Sequence, residues 1–117
     1  MFGLRVHEFS LCQSVISIAE KAAKDNSKKV SKVIVKIGNL AGVDVESFEF
    51  WFPVAAKESV LEQAKLEIIH EQAIAKCKAC ENEFELTKLY EQCPNCGGFE
   101  KDILKGKDML VESIVFN

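Results

Sequence analysis

The hydrophobic positions along this chain change their period from segment to segment, and each period predicts an element. From Phe9 to Ala23 apolar residues recur every three or four positions, which is typical of an amphipathic helix. From Val30 to Ile37 they alternate with polar residues, which predicts a strand with one apolar face. Leu66–Ala73 and Met109–Phe116 predict two further strands.

A second helix is predicted to begin after Asp44. An aspartate at this position can accept a hydrogen bond from a free backbone N–H of the first turn, and Glu46 would face the positive end of the helix dipole. Pro53 cannot continue the helical hydrogen-bond pattern, so we expect a kink or an early end there. Four bulky residues of this segment are expected in the core: Phe48, Phe50, Trp51 and Phe52.

The order of these elements predicts an α/β (α+β) fold with two helices on a three-stranded sheet. The strand–helix–strand stretch predicts a parallel pair joined by a crossover helix. A polar, cysteine-bearing segment precedes the last strand, so it is inserted between two strands of one domain. The predicted domains are therefore residues 1–75 with 105–117, and residues 76–104.

The inserted segment contains two C-x-x-C pairs, which predict one metal ion held by four thiolates. Each pair folds tightly enough for both sulfur atoms to reach one ion, and two pairs complete a tetrahedron. The spacing favours zinc, with iron in a rubredoxin-like site as the main alternative. Because four protein ligands leave no position open for a substrate, the zinc would be structural. The predicted ligands are Cys77, Cys80, Cys93 and Cys96.

Residues that follow the cysteine pairs are expected to shape the metal-binding turns. Gly97 and Gly98 can adopt a positive φ, and Asn82 tolerates the same conformation better than most residues. The fifth cysteine, Cys12, lies on the apolar face of the first predicted helix. We therefore expect it to be a small core residue and not a metal ligand.

Charge and hydropathy argue against several classes of function. The chain of 117 residues has a net charge of −3, and residues 76–101 carry four Lys against five Glu, so we expect no binding to nucleic acid. No apolar run is long enough to span a membrane and no export signal is recognisable, which favours a cytoplasmic protein with reduced thiols. No nucleophile–base arrangement is recognisable, so we expect a carrier and not an enzyme.

Three motifs of this chain together resemble one protein family. They are His7–Gln13 (HEFSLCQ), Val33–Asp44 (VIVKIGNLAGVD), and the two cysteine pairs ahead of a last strand. This combination resembles the HypA/HybF family of hydrogenase maturation proteins over residues 6–117. The resemblance implies a nickel metallochaperone with a nickel-binding α/β domain and an inserted zinc domain. It also implies delivery of Ni(II) to the hydrogenase large subunit with the help of a HypB-type nickel GTPase.

The resemblance implies a nickel ligand set as well. Members of the family bind Ni(II) at an amino terminus that reads Met-His-Glu, through the terminal amine, two backbone amides and the imidazole. Carried onto this chain, His7 supplies its imidazole and its amide, and Glu8 supplies its amide. Nitrogen-rich chelation suits Ni(II) or Cu(II) better than zinc. Further implications are a role in urease maturation in some bacteria, and a monomer or weak homodimer.

The amino terminus departs from the family pattern, because Met1–Arg5 precede Val6, where the family has its initiator methionine. With this extension, the residue before His7 has no free amine. Our hypothesis is that residues 1–5 are a non-native or misassigned extension and that translation begins at Val6 from a GTG codon.

Two functions other than nickel transport stay open when the residues are considered without the family. One is a zinc-ribbon module for protein–protein interaction that carries no nickel. The other is a nucleic-acid-binding ribbon, which the acidic charge of the cysteine-bearing segment disfavours.

Overall fold

The computed structural model describes residues 2–26 and 29–117, with side chains for residues 7–24 and 29–117. The predicted extension, residues 1–5, lies outside the residues whose side chains are described. Along the described chain, two helices and six strands follow in the order α1 Phe2–Asn26, β1 Val30–Gly38, α2 Val45–Ala56, β2 Lys65–Glu71, β3 Ala73–Cys77, β4 Glu83–Leu86, β5 Lys101–Lys105 and β6 Met109–Phe116.

Helix α1 begins before its predicted start at Phe9. His7 and Glu8, which the sequence places just ahead of the helix, lie inside it. No proline interrupts this stretch, so the backbone can continue the helix towards the amino terminus. The predicted apolar face is confirmed, because Cys12, Val15 and Ala19 are buried.

Helix α2 begins as predicted directly after Asp44, whose Oδ1 accepts a hydrogen bond from the N–H of Ser47 at 3.2 Å. The helix continues through Pro53 to Ala56, so the expected early end is wrong. The bulky residues are not all in the core: Phe48 and Phe52 are buried, but Phe50 is 64% exposed. The reason is geometric, since residues four apart share a helix face and a residue midway between them points away from it.

The first sheet has the strand order β2-β1-β6. Ion pairs join Lys32 to Glu67 and Lys36 to Glu71. From the first pair to the second, the position advances by four residues in the same direction on both strands, so β1 and β2 are parallel. Hydrogen bonds at the two ends of β1 reach opposite ends of β6, so these two strands are antiparallel. The predicted three-stranded sheet and its parallel pair, joined through α2, are therefore confirmed.

The second sheet is antiparallel, with the order β4-β3-β5. The strand predicted at Leu66–Ala73 is wrong at its end, because β2 stops at Glu71 and Ala73 begins β3 in this other sheet. The strands of the second sheet are short and rich in Lys, Glu and Ala, so their alternation is weak in the sequence. Their small core consists of Ala73, Ala75 and Leu86, with Leu40, Phe84 and Ile103 packed against it.

The end of β1 joins this second sheet through side-chain and backbone contacts. Asn39 accepts a hydrogen bond from the N–H of Ala73 at 2.7 Å and donates one to the carbonyl of Leu86 at 3.0 Å. A Cβ on Gly38 would overlap the backbone of Gly106, and a Cβ on Gly106, whose φ is +91°, would overlap Ala73. Only glycine allows this close backbone packing.

The chain forms two compact units. The first unit comprises the chain as far as Val35, together with Val43–Ile68 and Val111–Asn117; the second comprises Lys36–Gly42 and Ile69–Leu110. The predicted zinc domain, residues 76–104, lies within the second unit. The division of the chain into a zinc domain and a separate nickel-binding domain stays a prediction. Within the described residues, neither helix is long and apolar enough to cross a membrane.

Candidate metal centre

The second unit brings the four predicted zinc ligands together. The Sγ atoms of Cys77 and Cys96 lie 3.5 Å apart, and those of Cys80 and Cys93 lie 3.6 Å apart. All four sulfur atoms lie within 4.8 Å of one another. A tetrahedral zinc ion with bonds of about 2.3 Å separates its sulfur ligands by about 3.8 Å, so the cluster fits a closed structural zinc site.

The two cysteine pairs fold into the same turn. The N–H of Glu81 donates to the carbonyl of Cys77 at 2.9 Å, and the N–H of Gly97 donates to the carbonyl of Cys93 at 2.8 Å. Both donors are left-handed, with φ values of 65° and 76°. The expectation is confirmed for Gly97 and wrong for Asn82, because the left-handed residue is the fourth after the first cysteine of each pair.

Glycine is needed at position 98 because there is no room for a side chain, and not because of its backbone conformation. Its φ is not in the left-handed region expected for it. A Cβ at this position would lie 3.3 Å from the sulfur of Cys96, closer than side chains ordinarily approach. Its carbonyl accepts a hydrogen bond from the N–H of Cys93 at 2.8 Å, so the chain after the second pair passes close beside the clustered cysteines.

Two asparagine side chains contact the sulfur atoms across the cluster. Nδ2 of Asn95 donates to the sulfur of Cys80 at 3.5 Å, and Nδ2 of Asn82 donates to the sulfur of Cys93 at 3.9 Å. Hydrogen bonds to ligand atoms orient them and offset their negative charge. The sequence analysis missed this role, although one asparagine lies inside a C-x-x-C pair and the other lies two residues after one.

The four thiols do not ionise alike. Burial opposes ionisation of Cys93, but backbone N–H groups of Cys96 and Asn95, together with hydrogen bonds from the thiols of Cys80 and Cys77, outweigh it and lower the pKa of this thiol to about 6. The backbone of Cys80 lowers the pKa of Cys77 as well. A backbone N–H favours ionisation of Cys96, yet the neighbouring sulfurs raise its pKa to about 12. Four thiolates so close together repel one another, and a divalent cation removes that conflict.

The proposed nickel residues present their side chains to different environments. His7 is exposed to solvent. Glu8 is fully buried, and its Oε2 accepts a hydrogen bond from the N–H of Asp44 at 3.1 Å. The other oxygen, Oε1, has no hydrogen-bond partner among the described residues. The carboxylate therefore serves the contact between α1 and the start of α2, whereas the imidazole of His7 faces solvent.

The fifth cysteine is not one of the clustered cysteines, as predicted. Cys12 is fully buried, and its Sγ donates to the carbonyl of Phe48 at 3.4 Å. Burial and the nearby charge of Glu8 raise the pKa of this thiol to about 12. A buried thiol that stays protonated is a poor nucleophile and a poor metal ligand, so Cys12 is a core residue.

Comparisons with known proteins agree with these observations. Residues 6–116 match the family model described as HypA, hydrogenase/urease nickel incorporation, metallochaperone. The chain is 90% identical to the hydrogenase maturation factor HypA of Francisella philomiragia over 112 residues, which is 96% of this chain and 100% of that protein. It is 38% identical to the HypA of Geotalea uraniireducens over 109 residues, covering 93% and 97% of the two chains.

Solved structures give the same result. The solution structure of the nickel metallochaperone HypA from Helicobacter pylori is similar to this fold, with a TM-score of 0.69 and 30% sequence identity, and the match covers 93% of this chain and 96% of that one. A second solution structure of a HypA protein matches with a TM-score of 0.72 and 31% identity over 96% of this chain and 97% of that one.

Proposed function

This chain belongs to the HypA family of metallochaperones for nickel incorporation, and we propose that it binds Ni(II) at His7 and Glu8 and delivers the ion to the large subunit of a nickel–iron hydrogenase. The observation that supports this site is the opposite placement of the two side chains. Because the carboxylate of Glu8 is buried and bonded to the N–H of Asp44, this residue can offer a metal its backbone nitrogen, while His7 offers an exposed imidazole.

The length of the chain ahead of His7 decides whether those backbone nitrogens are available. In the 117-residue chain, α1 includes both residues, so their N–H groups can donate to carbonyls one turn earlier. If the chain started at residue 6, these N–H groups would lie among the first four of the helix, which have no carbonyl acceptor. The terminal amine would then lie next to the imidazole of His7.

A nitrogen chelate of this kind also suits delivery. Ni(II) and Cu(II) both favour imidazole and amide nitrogens, so the choice of nickel would come from metal supply and protein partners and not from affinity. A site at an exposed chain end can be reached by the ligands of an acceptor, which a buried site cannot. The zinc, by contrast, would be held by four thiolates in a closed site, two of them buried, and would stay with the protein during transfer.

The test is a calorimetric titration of Ni(II) into two zinc-loaded forms of the protein. One is the 117-residue chain; the other lacks residues 1–5 and has Met in place of Val6. We expect one tight site in the short form and binding at least about tenfold weaker in the long form, as expected when a supporting group of a metal site is lost.

Histidine variants of the short form sharpen this test. His7→Gln should abolish the tight site, whereas His70→Gln, at the other histidine of the chain and also exposed, should leave it unchanged. Equal nickel affinity in both lengths would mean that the free amine is not a ligand. Tight binding that survives His7→Gln would refute the site.

Delivery is tested separately from binding. Nickel-loaded short form is mixed with purified immature large subunit, with and without a HypB-type GTPase and GTP, and nickel transfer is followed by size separation and metal analysis. We expect transfer that the GTPase accelerates and that His7→Gln prevents. Retention of nickel by the short form under all conditions would refute delivery while leaving the binding site intact.

A further inference from the structure

The four clustered cysteines differ in their exposure to solvent. Cys77 and Cys93 are buried, Cys80 is half-buried, and Cys96 is exposed. A zinc ion at the centre would bind all four sulfur atoms as thiolates, and the thiolate is the reactive form of cysteine. Oxidation of a thiolate by a small molecule from solvent also requires access, so it is selective among neighbouring cysteines. Within the cluster, access favours Cys96.

The hydrogen bonds to the sulfur atoms favour the same residue. Asparagine side chains donate to the sulfur atoms of Cys80 and Cys93. Donors of this kind offset the negative charge of a thiolate, which makes it a weaker nucleophile. Among the described residues, no asparagine side chain donates to the sulfur of Cys96, whose hydrogen bond comes from the backbone of Gly98. Cys96 is therefore the ligand least shielded from an incoming oxidant.

A second sulfur atom lies beside that of Cys96, on the side where Gly98 passes. The Sγ atoms of Cys77 and Cys96 are 3.5 Å apart. A Cβ at position 98 would lie 3.3 Å from the sulfur of Cys96 and 3.7 Å from that of Cys77, so any other residue there would cover both sulfur atoms. With glycine at this position, the two sulfurs can approach each other without displacing a side chain of residue 98.

We propose that Cys96 is a modification site for hydrogen peroxide, and that its oxidation leads to a Cys77–Cys96 disulfide and release of the zinc ion. First, the thiolate of Cys96 attacks one oxygen of the peroxide; the O–O bond breaks, and a sulfenic acid and a hydroxide ion form. The thiolate of Cys77 then attacks the sulfenic sulfur; the S–O bond breaks, and a second hydroxide ion leaves. The two thiolates together lose two electrons, which reduce the peroxide.

Release of zinc follows from the number of ligands. A disulfide sulfur is no longer a thiolate, so only Cys80 and Cys93 would still bind the ion, and two thiolates cannot close a structural zinc site. The disulfide would join the same two turns that the ion otherwise joins. Because a thiol reductant can reverse the disulfide, zinc can bind again after reduction. The centre would therefore exchange a metal ion for a covalent bond according to the oxidant around it.

The test treats the zinc-loaded full chain with hydrogen peroxide in the presence of a weak chromophoric chelator, which leaves the zinc in place until peroxide is added. Absorbance follows the released zinc, dimedone traps the sulfenic acid, and mass spectrometry maps the disulfides after alkylation of the remaining thiols. We expect dimedone on Cys96, one zinc released for each Cys77–Cys96 disulfide, and renewed zinc binding after reduction. Retention of zinc in excess peroxide, or a disulfide that joins Cys96 to Cys80 or Cys93, would overturn the proposal.

Histidine variants test the role of Cys96 independently, because three cysteines with one histidine are also an ordinary zinc ligand set. Cys96→His lacks the attacked sulfur and should release zinc at least about tenfold more slowly than the unmodified protein. Cys80→His makes the same change of ligand type but keeps Cys77 and Cys96, so it should still form their disulfide and release zinc. Metal analysis before the reaction checks that each variant holds one zinc. Equal rates of release from the two variants would overturn the proposal.

Discussion

The two compact units of this chain differ in the kind of residue that forms their cores. The buried residues of the first unit are mostly aliphatic or aromatic side chains that pack together, such as Val15, Val33, Phe48, Phe52 and Leu61. In the second unit the central cluster is two alanines and Leu86, and two of its other buried residues are metal-binding cysteines. We therefore expect the first unit to fold by itself and the second unit to depend on a metal ion.

We infer that hydrophobic packing stabilises mainly the first unit and that zinc binding stabilises mainly the second. Burial of apolar surface contributes about 25 cal/mol per Å², which small alanine side chains supply poorly. A structural zinc ion instead provides its binding free energy directly to folding, and it does so at one point in a short segment. The comparison predicts which unit each change to the molecule should affect.

The largest expected effect is removal of zinc. A strong chelator, or Cys93→Ser, should unfold the second unit, since binding of a structural zinc contributes about 10–16 kcal/mol in small zinc modules. Amide hydrogen exchange should show lost protection in β3, β4 and β5 and retained protection in α1 and α2. Cys12→Ala is the control and should leave the zinc content unchanged. Loss of protection throughout the chain would show that the first unit does not fold independently.

The next effect is loss of the aromatic core of the first unit. Phe48→Ala should cost about 3–5 kcal/mol in the free energy of unfolding, because Phe48 is fully buried. Phe50→Ala, on the opposite side of the same helix, should change it by less than about 0.5 kcal/mol. Urea denaturation measures both variants, and metal analysis should find one zinc in each. Equal losses at the two positions would contradict the burial described here.

A smaller effect is expected at the buried carboxylate of Glu8. Glu8→Ala removes the acceptor for the N–H of Asp44 and should cost about 1–3 kcal/mol. Glu8→Gln keeps an oxygen acceptor of similar shape, so most of the stability should remain. Urea denaturation at constant pH distinguishes the two variants. If glutamine cost as much as alanine, the hydrogen bond would not be the stabilising contact.

The smallest effect concerns the ion pair between Lys32 and Glu67 at the surface of the first sheet. A hydrogen bond from Lys32 and its charge lower the pKa of Glu67 from its ordinary value of 4.5. The folded state thus binds this proton less tightly than the unfolded state, so the pair stabilises the fold above pH 4.5 and loses its effect as the pH falls through the lowered pKa.

Glu67→Gln should therefore reduce stability slightly at pH 7, and the difference from the unmodified protein should vanish in acid. Urea midpoints of both proteins across this pH range give the comparison, and any acid release of zinc affects them equally. Glu62→Gln, at an exposed glutamate with no ion-pair partner among the described residues, is the control. A difference that grew on acidification would have the wrong sign.

Local signals in the sequence predicted much of the first unit. The strand Met109–Phe116 has the predicted bounds, and Asp44 caps α2 as predicted, because each depends on a few consecutive residues. The error at Phe50 arose from treating bulk as burial, although helix geometry separates it from Phe48 and Phe52. The start of α1 ahead of Phe9 could not be predicted, because no capping residue in the sequence marks where this helix begins.

The second unit could be predicted only in part. The cysteine spacing identified the four residues whose sulfur atoms the structure brings together, since two C-x-x-C pairs are a local pattern with few meanings. The asparagine donors to sulfur and the membership of Lys36–Gly42 in this unit could not be predicted, because they depend on contacts between distant residues. Asn39 bonds to Ala73 and Leu86, which lie 34 and 47 positions further along the chain.

The close packing at Gly38 and Gly106 has a consequence for anyone who wishes to transplant the zinc module into another protein. A segment cut at the edges of the cysteine pairs would leave behind Gly38 and Asn39, and with them the side chain that ties the start of β3 to the end of β4. The smallest portable piece therefore consists of two stretches of chain. Both glycines must be carried over unchanged, because the backbone of Gly106 occupies the place where a side chain on Gly38 would begin, and Ala73 occupies the place of one on Gly106.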